Sequence, residues 1–260
     1  MAAVSFSRGS IYYEVSGKGK TLVFLHGFLE SKSIWSDYAV ELSKSYRVVC
    51  IDLPGHGESS CYGYCHDMEF MAQSVLAVLK TLKIRRYHLI GHSMGGYVSM
   101  ALAELQADAI RGLCLFHSTS QSDSTVKRKE REKVIRLVGR KKNSFIRQAI
   151  PALFNTDFKP YKRIINDFVT EAQQIPTQGI IAALEGMKLR ADRQIVLKFA
   201  PYPVLFIAGK HDSVLPVKKL QAEAKISDSA ELIILEHSAH MGFIEEKEKC
   251  LHYLKAFFKK

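Results

Sequence analysis

No apolar run in this chain approaches the roughly 20 residues that a bilayer-spanning helix needs. The first ten residues, MAAVSFSRGS, lack the basic start and long apolar stretch of a secretory signal. Both absences predict a cytoplasmic protein with no transmembrane segment. Cysteine is sparse: Cys50, Cys61, Cys65, Cys114 and Cys250 make five, an odd number with no framework spacing. That excludes a disulfide scaffold and predicts reduced thiols. Cys61 and Cys65-His66 give half of a metal-ligand pattern, but no second pair of matching spacing exists, so no metal is expected. Internal repeats and low-complexity linkers are missing too, which leaves no sign of a second independent core.

What is present is mostly ordinary globular material. The 260 residues are 47% hydrophobic and 24% charged, ample for one large core. Positive charge is the exception. The formal net charge is +11, and residues 119–190 hold 15 Lys and Arg against 7 Asp and Glu. The excess is densest in VKRKEREKVIRLVGRKK, residues 126–142. Such a block can attract nucleic acid, anionic membrane or acidic ligands, or it can simply solvate a helix face, with Glu130 and Glu132 pairing locally. No aromatic residue interrupts the run, which removes the stacking platform of a single-strand binder. The solvated face is therefore expected, with no nucleic-acid partner.

Short apolar runs bounded by turn residues recur along the chain. VSFS and SIYYEVSG flank Arg8-Gly9 and read as a hairpin. TLVFLHG (21–27), YRVVCIDLPG (46–55), RYHLIGHS (86–93), IRGLCLFHS (110–118), PVLFIAGKHD (203–212) and AELIILEHSAH (230–240) are continuous rather than alternating, as strands buried on both faces are. Segments 33–44, 68–83 and 94–106 carry apolar residues at helical steps. The alternation predicts an α/β fold: an eight-stranded, mostly parallel sheet with helices on both sides and an antiparallel hairpin at one edge. Residues 119–190 break the alternation with four helical stretches, near 123–139, 143–154, 160–174 and 177–189, and no convincing strand. The expected organisation is a core domain of residues 1–118 and 191–260, with 119–190 inserted after the sixth strand as a helical cap over the sheet's C-terminal edge.

Gly91-His92-Ser93-Met94-Gly95 matches G-x-S-x-G, which chance alone yields in roughly one chain in ten of this composition. Its position makes it specific: it ends a predicted strand and opens a predicted helix. A strand-to-helix turn that tight strains the serine backbone and needs neighbours without side chains, which points to Ser93 as a nucleophile. A serine hydroxyl needs a base, and the base an orienting carboxylate, in the chain order Ser, Asp, His. Asp212 lies in the loop after the seventh strand, and His240 just past the eighth. His237 is too close to the strand to reach across, and Asp192 reads as a helix cap. The oxyanion of a tetrahedral intermediate needs backbone donors in place, expected from the amides of Phe28 and Met94, with His26 supporting the first of these loops.

LHGF, DLPGHGES, GHSMGGY, AGKHD and SAHMGFIEE, in this order between His26 and Glu246, resemble the α/β-hydrolase superfamily. The resemblance implies a serine hydrolase with a helical cap, needing no organic cofactor. It places Asp52, His56 and Gly57 in a structural turn near the pocket rim. Ser93 stands where the dehalogenases and epoxide hydrolases of this fold have aspartate, which disfavours them. A carboxylesterase on small or medium acyl esters is the leading expectation, its partner a small-molecule ester and its oligomeric state open. A cofactor-free C–C hydrolase or lyase on an acidic small molecule is the alternative. Tyr97 counts against the menaquinone-pathway synthase type, which carries arginine shortly after the nucleophile's glycines. A ligand receptor on the same fold is a further alternative, since some receptors keep the full triad. Pocket walls are expected from Leu29, Phe116, Leu215 and Met241 in the core and from Phe154 and Phe158 in the cap.

Overall fold

The computed structural model of the chain describes residues 2–155 and 161–260. β1 (Ala2–Phe6) and β2 (Gly9–Ser16) form the antiparallel hairpin. β3 (Thr21–Leu25), β4 (Arg47–Ile51), β5 (Tyr87–His92), β6 (Ile110–Phe116), β7 (Val204–Gly209) and β8 (Ala230–Leu235) run parallel, and β2 pairs antiparallel with β4. β3, β5 and β7 are buried at every position, which is why their sequences are apolar without alternation. α1 (Ser36–Leu42), α2 (Met68–Thr81) and α3 (Met94–Leu105) follow β3, β4 and β5. No helix among the described residues is long and apolar enough to cross a membrane.

The sheet order is β1-β2-β4-β3-β5-β6-β7-β8. From β3 the chain steps to β4 on one side and returns to β5 on the other. Ligands of open α/β sheets bind at such a switch point. Here it sets the loops after β3 and β5 side by side, with Leu25 paired to Gly91.

Between β6 and β7 lie α4 (Thr125–Ala149), α5 (Lys162–Gln174), α6 (Thr177–Leu189) and the short α7 (Gln194–Lys198). The two helices expected at 123–139 and 143–154 meet at Lys141, whose backbone is not helical (φ −144°, ψ 51°); together they make up α4, and a 3-10 turn follows at Pro151–Leu153. Just past the kink, Lys142 donates to the Gln173 and Ile175 carbonyls at 2.8 and 2.9 Å, closing the end of α5. α8 (Val217–Ala224), α9 (Gly242–Glu245) and α10 (Lys247–Phe257) complete the chain and, with α7, have no counterpart in the sequence pattern above. Three of these four have eight residues or fewer, too short to display a period.

α6 seats the inserted helices on the sheet's own loops. A Cβ on Gly179 would lie 2.3 Å from the Gly55 carbonyl oxygen, and one on Gly186 only 1.7 Å from that of His66. The His66 amide donates to the Ala182 carbonyl at 2.9 Å between them. Val138 and Ile146 of α4 are buried with Ile180, Ala183, Leu184 and Met187 of α6, so the seat extends into a shared apolar layer.

Gly186→Ala is expected to lower stability by about 1–3 kcal/mol, because backbone must shift to admit the methyl group. Gly139→Ala, where a Cβ on α4 meets nothing within 4 Å, should instead raise it by about 0.5–1 kcal/mol. Urea unfolding of the two variants checks both signs.

Candidate active site

β5 ends at His92 and α3 begins at Met94, so strand becomes helix across one residue, Ser93. Ser93 has φ 49° and ψ −112°, a positive-φ conformation that serine keeps only where packing imposes it. The packing is visible around it. A Cβ on Gly91 would lie 2.4 Å from the Gly95 carbonyl oxygen, and one on Gly95 2.5 Å from that of Leu25. The Ser93 amide donates to the Phe116 carbonyl at 2.9 Å, and the Ser118 hydroxyl donates to the Ser93 carbonyl at 2.7 Å. Both peptide groups of the serine are pinned, and its side chain is half-buried among buried neighbours.

His240 Nε2 lies 2.9 Å from Ser93 Oγ, and its Nδ1 lies 2.7 Å from Asp212 Oδ2. Asp212 Oδ1 accepts from the amides of Val214 and Leu215 at 2.8 and 2.9 Å. A second imidazole joins them. His117 Nε2 accepts from the Gly242 amide at 3.2 Å, and its Nδ1 lies 3.2 Å from the same Asp212 Oδ2 and 3.3 Å from the Gly209 amide nitrogen. Burial pushes the Asp212 carboxyl up, but the His240 charge and hydrogen bonds from both histidines outweigh it and hold the group far below the usual carboxylate range. Burial lowers His240, yet the Asp212 charge and hydrogen bond carry it above the ordinary 6.5. His117, wholly buried, is pushed down to about 4. Among the described residues His117, Asp212 and His240 also lie close enough together to hold a metal ion, but these atoms already bond one another.

Across the switch point, buried Glu30 braces the loop after β3. Its Oε2 accepts from the Gly27 amide and from His92 Nδ1, the latter at 2.9 Å, and His92 Nε2 donates to the His240 carbonyl at 3.0 Å. Burial raises the Glu30 carboxyl, and the His92 charge and hydrogen bond bring it below the usual range. His26 supports the same loop, its Nε2 accepting from the Leu53 amide at 2.9 Å and its Nδ1 donating to the Gly27 carbonyl at 2.8 Å. Among the described residues, neither the Phe28 nor the Met94 amide has a protein acceptor. Met94 opens a helix, so no carbonyl stands one turn back to take its proton. Asp52 is occupied elsewhere, accepting from the Lys32 and Glu58 amides at 2.7 and 3.1 Å in a turn outside the cavity.

Ser93 and His240 face a cavity of about 150 Å³. Phe28 and Leu29 line it from the core, and Phe145, Leu153 and Met187 from the inserted helices. Other expected wall residues lie elsewhere. Phe116 and Met241 are wholly buried, Phe116 packing on Trp35 and Phe243 with ring centroids 6.0 and 6.2 Å apart. As the last residue of β6 it points off the face of the sheet, not past the strand's end. Phe154 turns away to Tyr161 and Phe168, with centroids 5.8 and 6.3 Å apart. Leu215 lines an adjoining cavity, and Phe158 lies outside the described residues. His237 is exposed, its amide bound by Glu246.

A family model described as the α/β hydrolase fold matches residues 20–247. The chain belongs to the α/β-hydrolase family. It is 30% identical over 96% of its length to the dihydrolipoyllysine-residue acetyltransferase component of the acetoin cleaving system of Pseudomonas putida, spanning 66% of that protein. A pimeloyl-[acyl-carrier protein] methyl ester esterase of Vibrio vulnificus is 24% identical over 95% of this chain and 97% of its own. A solved thermophilic esterase from Thermogutta terrifontis, with malate bound, superposes with a TM-score of 0.92 at 27% identity, covering 96% of this chain and 93% of its own.

Within this α/β hydrolase, sequence reasoning missed Glu30, His117 and the charged side chains of the cavity wall. Glu30 follows Gly27 by three residues and His117 directly follows β6, the strand beside the one that leads to Asp212, the only signals the sequence offers. Lys127 and Arg131, assigned above to a solvated face, both line the cavity. Arg128, Lys129 and Lys133 do face solvent.

Imidazole nitrogen NMR should find His240 titrating above 6.5 and His117 neutral down to about pH 4. Asp212→Asn should bring the His240 midpoint down, since the raising charge is then gone.

Proposed function

We propose that the protein is a serine carboxylic ester hydrolase acting on small or medium acyl esters. Residues 119–190 form its cap over a core of 1–118 and 191–260, and it works in the cytoplasm. One observation carries the reading: the hydrogen-bonded series Ser93–His240–Asp212, at 2.9 and 2.7 Å, on the wall of a cavity lined by Phe28 and Leu29 on one side and Phe145 and Met187 on the other. The esterase likeness of the Thermogutta terrifontis and Vibrio vulnificus proteins supports ester as the bond cleaved.

In this mechanism His240 Nε2 takes the Ser93 proton as Oγ attacks the ester carbonyl, while Asp212 fixes the proton on Nδ1 and steadies the imidazolium. The amides of Phe28 and Met94 receive the oxyanion, each donor worth on the order of 3 kcal/mol of transition-state stabilisation. The imidazolium then gives its proton to the departing alcohol, leaving an acyl-Ser93 ester. Water attacks that ester, its proton passing to His240, and the acid leaves as Ser93 recovers its proton. No metal or organic cofactor takes part in these steps.

A p-nitrophenyl ester series from acetate to long chains tests the proposal. Ser93→Ala and His240→Ala should each lose on the order of 10³-fold or more in kcat, and exposed His237→Ala should stay near wild type. A Ser93→Ala variant hydrolysing at wild-type rate would overturn the assignment. Wild-type kcat/KM should fall as pH drops through a midpoint above 6.5, because only neutral His240 can accept the proton.

A further inference from the structure

Tyr97, Lys127, Arg131 and Val214 line the catalytic cavity and also a second one of about 320 Å³ beside it, so they form the partition between the two. The second cavity is cationic. Lys127, Arg131, Arg190 and Lys219 line it, against Asp123 and Asp192. Asp123 is shared by two guanidiniums: it binds Arg131 and lies 2.7 Å from Arg190 Nη1. These side chains are only 13% and 4% exposed, so one carboxylate leaves a positive charge poorly compensated where water is scarce. Arg190 also lies over the Tyr97 ring at 4.0 Å, which holds the partition in place. Lys127 has Glu130 at 3.5 Å, both side chains about half exposed, a pair that neutralises little. The remaining acids are committed: Asp192 accepts from the Ser122 and Gln194 amides, and Glu30, on the catalytic side, holds Gly27 and His92.

We propose that Lys127 and Arg131 form an anion subsite, and that the substrate is an ester whose far end carries a carboxylate. The proposal rests on the ester-hydrolase reading and narrows it. The two cations stand one turn apart on α4 and face the same space as Ser93 and His240. A guanidinium and an ammonium together suit a carboxylate, the guanidinium by its fork of donors. Phe145, Leu153 and Met187 on the same walls favour an aliphatic spacer between the ester and the acid.

Monomethyl esters of linear dicarboxylic acids, about four to nine carbons long, are compared with methyl esters of monocarboxylic acids of equal length. The half-esters should have about tenfold higher kcat/KM at low salt, a margin that shrinks as ionic strength rises. Lys127→Met and Arg131→Met should each cut that preference about fivefold, through KM rather than kcat. Arg131 also holds Asp123, so half-exposed Lys127 is the variant on which the result stands if Arg131→Met fails to fold. Equal rates for the two series, or a preference unchanged in Lys127→Met, would overturn the subsite and leave the hydrolase reading intact. If neither series is hydrolysed, the hydrolase reading fails, and calorimetry with free adipate decides the subsite. Binding weakened by Lys127→Met supports it; no binding overturns it.

Discussion

Everything at this site hangs on one strained residue. Ser93 changes strand to helix in a single step, and its positive φ persists because β3, β5 and α3 meet without side chains between them. The glycine contacts let α3 start close enough for the Met94 amide to sit beside the loop after β3. Strain of this sort costs on the order of 1–3 kcal/mol and survives only where surrounding structure over-determines it. Here the over-determination is explicit: a donor bond to Phe116, an acceptor bond from Ser118, and the parallel register of β3 with β5.

Two buried acid–imidazole pairs meet at His240, and they do different work. Asp212 holds the His240 ring through Nδ1, whereas Glu30 acts through His92 on the His240 backbone carbonyl. Glu30 also grips the Gly27 amide, so the same carboxylate that steadies His240 steadies the loop carrying Phe28. A buried carboxylate without partners would cost several kcal/mol; Asp212 instead meets donors at both oxygens and Glu30 meets two at Oε2. His117 belongs to this logic. Its ring is kept neutral, and it gives Asp212 a further donor without adding a competing cation beside His240.

Much of this was legible in the sequence, and the division is physical. The eight strands and the G-x-S-x-G turn are written in local pattern: apolar runs of strand length, and glycines where backbone must touch backbone. The proximity of Ser93, Asp212 and His240 followed from one rule of chain order, because each sits at the C-terminal end of a parallel strand. Of the expected cavity walls only Leu29 was legible, because the others depend on how α4 and α6 dock. Phe116 and Met241 are apolar and adjacent in sequence to site residues, yet they face the core, while Phe145 and Met187 arrive from distant segments. The break at Lys141 falls where the sequence pattern separates two helices, but the contacts that Lys142 makes 31 residues onward were not legible.

The basic segment shows the same limit from the other side. A count of charges treats Arg128, Lys129 and Arg131 alike, but a helix sorts them by face. Two of them face water, where a positive charge costs little and brings solubility. Arg131 is carried over the cavity beside a carboxylate that already serves Arg190. For stability alone, apolar side chains of similar volume would fill that space as well or better, since desolvating a guanidinium is expensive. Keeping two guanidiniums on one acid, one of them at the wall of the cavity that Ser93 faces, makes physical sense when something anionic enters. The net charge of the chain is thus the sum of two populations, one turned to water and one turned to the cavities.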